Sequence, residues 1–290
     1  MSAARKMPKV PGWTVEDLHE GFAQCFREEE VLYDSRTGHQ RLRLIRNATF
    51  GRILLLDDIV QTTEGDEFIY HEMMAHVPIL AHGAARRVLI IGGGDGGMAR
   101  EVLRHRTVER LTQVEIDARV IEFCREYLPT LSAGAFDDPR LDLVIADAAD
   151  YVREATDSFD VIICDTTDPV GPGEVLFSES FYGHLARRLA PGGIVVTQNG
   201  VPFLQADELA GTMRAFRSLF RDATCYMATV PTYAGGPLAI GWGTDSQARA
   251  TPLAELERRF AEAAIETRYY TPEVHRAAFA LPRYVSAAMP

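Results

Sequence analysis

The chain has 290 residues, 47% hydrophobic and 24% charged, the make-up of a folded water-soluble protein and not of a disordered, collagen-like or mucin-like one. With 30 Lys and Arg against 41 Asp and Glu the net charge is −11, which argues against a general nucleic-acid binder, since such a protein needs a basic face. No run approaches the ~18 consecutive apolar residues of a membrane span, and about 150 residues per domain gives roughly two domains.

The first ten residues are basic but lead into Pro11-Gly12-Trp13, so no signal peptide is expected. The first third then reads as β-rich. Residues 40–46 (QRLRLIR) alternate polar and apolar, as a half-buried strand does. Residues 47–51 form a turn, 52–56 the second strand of a hairpin, and another short stretch ends at Gln61. From 66 to 80 the apolar spacing becomes helical. Beyond it the strand RVLII runs into the loop GGGDGG and the helix MAREVLRH. The strands LTQVEI, LDLVIAD, FDVIICD and GGIVVTQ follow, interleaved with the helices DARVIEFCREYL, FSESFYGHLARRLA and QADELAGTMRAFRSLF. Buried strands alternating with amphipathic helices make a doubly wound parallel sheet of the α/β class. ATCYMATV and PLAIGWG read as closing strands, 251–264 as a last helix, and RYY and the tail after His275 as short extended or irregular pieces. The predicted division is a β-rich domain with its connecting helix over 1–80 and an α/β domain over 81–290. Cys25, Cys124, Cys164 and Cys225 show no CxxC spacing, so no zinc knuckle or redox motif is expected, and a reducing cytoplasm fits.

The loop contains GxGxxG at Gly92, Gly94 and Gly97, between a strand and a helix. Glycines let the chain turn tightly and let a ligand approach the backbone. Glu115 closes the next strand, twenty residues after Asp95 (115 − 95), where an acid can accept from both ribose hydroxyls. Together they point to a nucleotide or nucleoside. Asp95 inside the loop would repel a pyrophosphate by a few kcal/mol at ~4 Å and an effective dielectric near 20, and the Lys of a Walker motif is missing. An S-adenosyl compound carries no phosphate and avoids the clash. Asp147, closing LDLVIAD, is placed for an adenine, with small Ala148 after it; a helix N-cap is the alternative reading of Asp147. Asp95 also favours a donor arm that ends in an amine alone over one that carries a carboxylate as well.

Asp165-Thr166-Thr167-Asp168-Pro169-Val170-Gly171-Pro172 follows the strand FDVIIC. Ligands bind at the carboxyl ends of parallel strands, and two acids three residues apart on a stiff turn can hold a cationic amine and take its proton. A turn whose acids merely cap local N–H groups is the alternative.

These stretches resemble spermidine synthase, the polyamine aminopropyltransferase family: VLIIGGGDGG, VEID, DTTDPVGPGEVLF, LDDIVQTTEGDEFIYHEMMAH and AAFALP carry the likeness, and TQNGVPFLQ and VPTYAGG bring it nearest the bacterial branch. The similarity runs from about Trp13 to about Pro282. It implies a Rossmann-like, methyltransferase-type doubly wound sheet with a small N-terminal β-domain. It implies transfer of the aminopropyl group of decarboxylated S-adenosylmethionine to putrescine, giving spermidine and 5′-methylthioadenosine. The donor is then a co-substrate, and neither cofactor nor metal is expected. Carried onto this chain, Gln40, Glu115, Asp147, Ala148 and Pro172 match nucleoside-contacting positions, and His71, Asp95 and Asp168 amine-contacting ones. Asp165 matches the proton acceptor, Tyr70, Gln198 and Tyr233 match further pocket positions, and Gln61 lines the pocket. The resemblance also implies a homodimer or homotetramer, with small-molecule partners and neither nucleic acid nor membrane. Two positions depart from the family: Gly65 stands where TERDEF has Arg, and Ala148 where many members have Gly.

Three other readings compete. A small-molecule methyltransferase would use the same fold, a nicotinamide dehydrogenase is opposed by Asp95, and a silent polyamine-binding protein is opposed by Asp165 and Asp168 together.

Overall fold

The computed structural model describes residues 10–167 and 171–289. The chain divides into two compact units, one holding Met1–Glu67 and Pro231–Ala234, the other Phe68–Val230 and Gly235–Pro290.

The first unit is all β. Strands β1 (Trp13–His19) and β2 (Phe22–Arg27) form an antiparallel hairpin. Strands β3 (Glu30–Arg36), β4 (Arg41–Asn47), β5 (Gly51–Leu56) and β6 (Ile59–Thr63) form a four-stranded antiparallel sheet in that order. The expected hairpin is β4–β5, with Leu44 opposite Leu54 and Ile45 opposite Ile53. Its turn is set by Asn47, whose Oδ1 accepts from Thr49 N and Phe50 N, and by Gly51 at φ +70°. Asp57 and Asp58, both at positive φ, make the two-residue turn into β6. Phe26, Ile45, Ile53, Leu55 and Val60 form the core of this unit. The segment 231–234 is held to it by Asp66, whose Oδ2 accepts from Thr232 N and Oγ1, and by Gln24, which donates to Thr232 O.

The second unit opens on helix α1 (Glu67–His82), every residue of which from Ile69 to Ala81 is buried. Such a helix belongs to a core, so it packs with this unit, where the sequence reading grouped it with the β-rich part. Strand and helix then alternate: β7 (Arg87–Gly92), α2 (Gly97–Leu103), β8 (Arg110–Glu115), α3 (Ala118–Tyr127) with the short α4 (Pro129–Ser132), β9 (Leu141–Ile145), α5 (Ala148–Glu154), β10 (Phe159–Asp165), α6 (Glu179–Arg188), β11 (Leu189–Gln198) and α7 (Ala206–Leu219). Strands β12 (Asp222–Ala228) and β13 (Leu238–Thr244) complete a seven-stranded sheet of order β12-β13-β11-β10-β7-β8-β9. Strands β7 to β11 run parallel, and β13 is antiparallel to both its neighbours. The apolar runs of β7, β10 and β11 are what a sheet covered on both faces requires. After β7 the chain steps to β8 and β9 on one side and returns to β10 on the other, which opens a crevice at the carboxyl ends of β7 and β10.

After α8 (Leu253–Ala263) residues 268–270 (RYY) are irregular, as expected, but the tail around and after His275 is helical: α9 spans Pro272–Ala278 and α10 Arg283–Ala288. Thr271 caps α9 by accepting from Val274 N, Pro272 sits at its first turn, and His275 and Val285 are buried. Among the described residues no helix is long and apolar enough to cross a membrane.

Candidate active site

The glycine loop makes room for neighbouring side chains. Gly92 lies at φ +82°, and a Cβ there would fall 2.1 Å from the Asp165 carbonyl oxygen, the same oxygen that accepts from Gly93 N at 3.0 Å. A Cβ on Gly93 would meet Asp165 Oδ2 at 3.0 Å, one on Gly94 would meet Glu115 Oε2 at 3.1 Å, and one on Gly97 would meet the His71 ring at 2.4 Å. Gln113, not among the residues expected at the site, supports the loop: its Nε2 donates to both Gly92 O and Gly93 O, at 2.9 and 2.7 Å. Its signal was available: it is the one amide in the middle of the apolar strand LTQVEI.

Asp165 ends β10, next to the loop in register with Gly92. Its Oδ1 accepts from the Tyr70 hydroxyl at 2.7 Å. Burial pushes its carboxyl up to about 6; Asp95 adds to the rise, while His71 and the Tyr70 hydrogen bond oppose it. Asp95 Oδ1 accepts from Gly97 N at 2.8 Å, which fixes the carboxyl over the start of α2, and its Oδ2 lies 3.6 Å from His71 Nε2. His71 is 2% exposed. Glu115 ends β8, and its Oε1 accepts from Asp117 N at 2.9 Å. Burial raises it to about 7, against its backbone hydrogen bonds and with help from Asp117 and Asp165.

Asp147 caps α5, its Oδ1 accepting from Ala149 N at 2.7 Å and Asp150 N at 3.2 Å, so the N-cap reading describes what that oxygen does here. Ala148 follows at the first helical position, buried. Gln198 ends β11, and its Oε1 accepts from Gly200 N at 2.6 Å. Along one edge of the sheet the order of strands therefore sets Asp147, Glu115, the glycine loop, Asp165 and Gln198 side by side. Asp168 lies outside the described residues, as does the side chain of Pro172, whose backbone belongs to the 3₁₀ turn Gly171–Phe177.

Gln40, Gln61 and Tyr233 belong to the first unit. Gln40 closes the turn before β4, its carbonyl accepting from Thr37 N at 2.8 Å. The Tyr233 hydroxyl donates to Gln61 O at 2.7 Å. Gly65 donates to Phe50 O at 2.9 Å, and a Cβ on it would lie 3.0 Å from Phe50 Cα, so the loop packs closely against backbone at this position. Among the described residues no group of three or more His, Cys, Asp or Glu is disposed to hold a metal ion.

The model of the spermine/spermidine synthase domain matches residues 67–251, and that of the spermidine synthase tetramerisation domain matches residues 12–64. The chain belongs to the spermine/spermidine synthase family. Within the family it is 66% identical over 279 residues to a polyamine aminopropyltransferase of a Ruegeria species, covering 96% of this chain and 98% of that one. It is 57% identical to the polyamine aminopropyltransferase of Pseudomonas syringae pathovar tomato, covering 94% and 96%. Among solved structures of the family, a spermidine synthase in complex with the transition-state analogue AdoDATO superposes with a TM-score of 0.90 at 36% identity, over 98% of this chain and 97% of that one. The spermidine synthase of Thermotoga maritima superposes with a TM-score of 0.88 at 35% identity, over 98% and 96%.

Proposed function

We propose that this protein is a polyamine aminopropyltransferase that joins the aminopropyl group of decarboxylated S-adenosylmethionine to putrescine, releasing spermidine and 5′-methylthioadenosine. The carrying observation is the carboxyl of Asp165, half-buried at a strand end, bonded by the Tyr70 hydroxyl and close enough to Asp95 and His71 to feel their charges. The names of its relatives agree with this reading.

An alkyl ammonium has a pKa near that of Lys, ~10.4, so putrescine arrives protonated and cannot attack. Asp165 takes one proton from it, aided by a desolvated site that brings the amine and carboxyl pKa values closer. The freed nitrogen lone pair forms a bond to the propyl carbon next to the sulfonium. The carbon–sulfur bond breaks, and its electrons pass to sulfur, which leaves as a neutral thioether. Asp95 and His71 stand where they can orient amines, Asp168 belongs to the same motif, and Glu115 holds the ribose. Gln198, and in the first unit Gln40, Gln61 and Tyr233, are proposed as substrate-contacting on the family likeness, with Asp147 and Ala148 at the adenine and Pro172 beside it. Most of the gain comes from placing two cations at attack distance against fixed acids.

Donor choice tests the reading. Release of methylthioadenosine from decarboxylated S-adenosylmethionine with putrescine is expected. Release of S-adenosylhomocysteine from S-adenosylmethionine instead would make it a methyltransferase, and spermidine binding without either release would make it a silent binder.

Glu115 gives a separate expectation. Its hydrogen bonds to the ribose need the charged form, and the group titrates near 7. Methylthioadenosine affinity should therefore weaken as pH falls through 7, and Glu115→Gln should cost roughly 10- to 100-fold and flatten that dependence. Calorimetric titration across pH 5.5 to 8.5 reads both.

We also propose an oligomer assembled through the first unit. Trp13, Phe22 and Val31 of β1, β2 and β3 are exposed, as an apolar assembly surface requires, and the matching family model is that of a tetramerisation domain. The four cysteines are all unpaired, which fits a cytoplasmic location.

A further inference from the structure

Helix α1 carries more polar groups than the reaction uses. Residues four apart share a helix face, and residues two apart lie on nearly opposite faces. Phe68, Glu72 and His76 thus form one stripe of α1, with Tyr70 turned away from it. The whole stripe is met by the segment 268–270. The Arg268 guanidinium lies 3.7 Å from the centre of the Phe68 ring. Glu72 Oε1 accepts from Arg268 N, and Oε2 from Tyr269 N and Tyr270 N, each at 2.8 Å. The His76 and Tyr270 rings are 5.5 Å apart, edge to face.

Glu72 is 2% exposed. A buried carboxyl is costly unless well paired, and an apolar residue would anchor a core helix without that cost. Three directional bonds add something apolar packing does not: they fix both the rotation of α1 and its position along its axis. Tyr70 needs this, because a hydrogen bond of 2.7 Å is lost with a displacement of about 1 Å.

We propose that Glu72 is a positioning residue: by gathering the three N–H groups of residues 268–270 on the rear of α1, it sets the helix so that the Tyr70 hydroxyl meets Asp165. This rests on the proposed role of Asp165 as proton acceptor. Among the described residues, the titratable groups that face Asp165 include Tyr70 and His71 from α1, Asp95 from the glycine loop, Glu115 from β8 and, beside it on β10, Cys164.

The test is the pH profile of kcat/KM for putrescine, at saturating donor, in Tyr70→Phe, Glu72→Gln and the double variant. The Tyr70 bond favours the charged carboxylate, so its loss should move the acidic limb upward by roughly half a unit to one unit. Glu72→Gln keeps one acceptor oxygen but sets an NH₂ against backbone N–H groups. It should move the limb the same way, cut turnover near pH 6.5 by about 3- to 10-fold, and leave methylthioadenosine affinity within about twofold. The double variant should show no further displacement of the limb. If Glu72→Gln does not fold, Arg268→Ala loosens the same strap from an exposed position and should give a smaller shift of the same sign.

A limb that moves in Tyr70→Phe but stays in place in Glu72→Gln, with activity falling only in proportion to folded protein, overturns the positioning role alone. In Arg268→Ala an unmoved limb has the same meaning. A limb unmoved in Tyr70→Phe itself overturns the role of Asp165, and the positioning role with it.

Discussion

Asp165→Asn should lower kcat by roughly 10²- to 10⁴-fold, the usual worth of a positioned general base. The amide matches the carboxyl in shape and can still accept from the Tyr70 hydroxyl, so the site should keep its form. It cannot take a proton from an alkyl ammonium. Methylthioadenosine should bind within a few-fold of wild type, because Glu115 and the glycine loop are untouched. Rapid-quench turnover and calorimetry separate the two effects. Near-normal turnover would remove Asp165 as the proton acceptor, and a loss confined to nucleoside binding would make it a ribose or adenine residue.

Gly92→Ala should be the most damaging small substitution in the larger unit. Its Cβ would sit 2.1 Å from the Asp165 carbonyl oxygen, an atom of backbone that cannot swing aside. The φ of +82° adds the strain that any L side chain meets there. The cost should reach about 4 kcal/mol, in the range kept for clashes inside a packed core, and lower the melting temperature by roughly 10 °C. Whatever folds should also turn over poorly, since relief of the clash requires β7 and β10 to part at the acid that does the chemistry. Gly134 is the comparison: its φ is +87°, but nothing lies within 4 Å of its Cβ position. Gly134→Ala should cost only about 1 to 2 kcal/mol. Equal thermal shifts for the two variants would mean that φ strain, and not the approach of Asp165, governs Gly92.

The parallel sheet was legible because short apolar-rich runs, purest in β7, β10 and β11, alternate with helical spacing, a pattern that needs no tertiary information to read. Its site acids were legible for a related reason. Glu115, Asp147 and Asp165 each end or follow such a run, so their placement at one edge comes with the topology. What escaped the sequence depends on long-range partners. Strands β1 and β3 are half-exposed and show little alternation. The last two helices are short and stand on caps and buried contacts instead of a long apolar stripe. Segment 231–234 folds with the first unit through Asp66 and Gln24, residues far away in the chain. Glu72 and Gln113 were visible only as polar residues in apolar surroundings; the backbone groups they bond are supplied by residues 268–270 and by the loop.

The most direct measurement is the pH dependence of kcat/KM for putrescine, with donor saturating, in wild type and in Asp165→Asn. The wild type should lose activity below about 6 along a one-proton limb, as Asp165 becomes protonated. The residual activity of Asp165→Asn should lack that limb. A limb that persists unchanged in Asp165→Asn would show that another group accepts the proton.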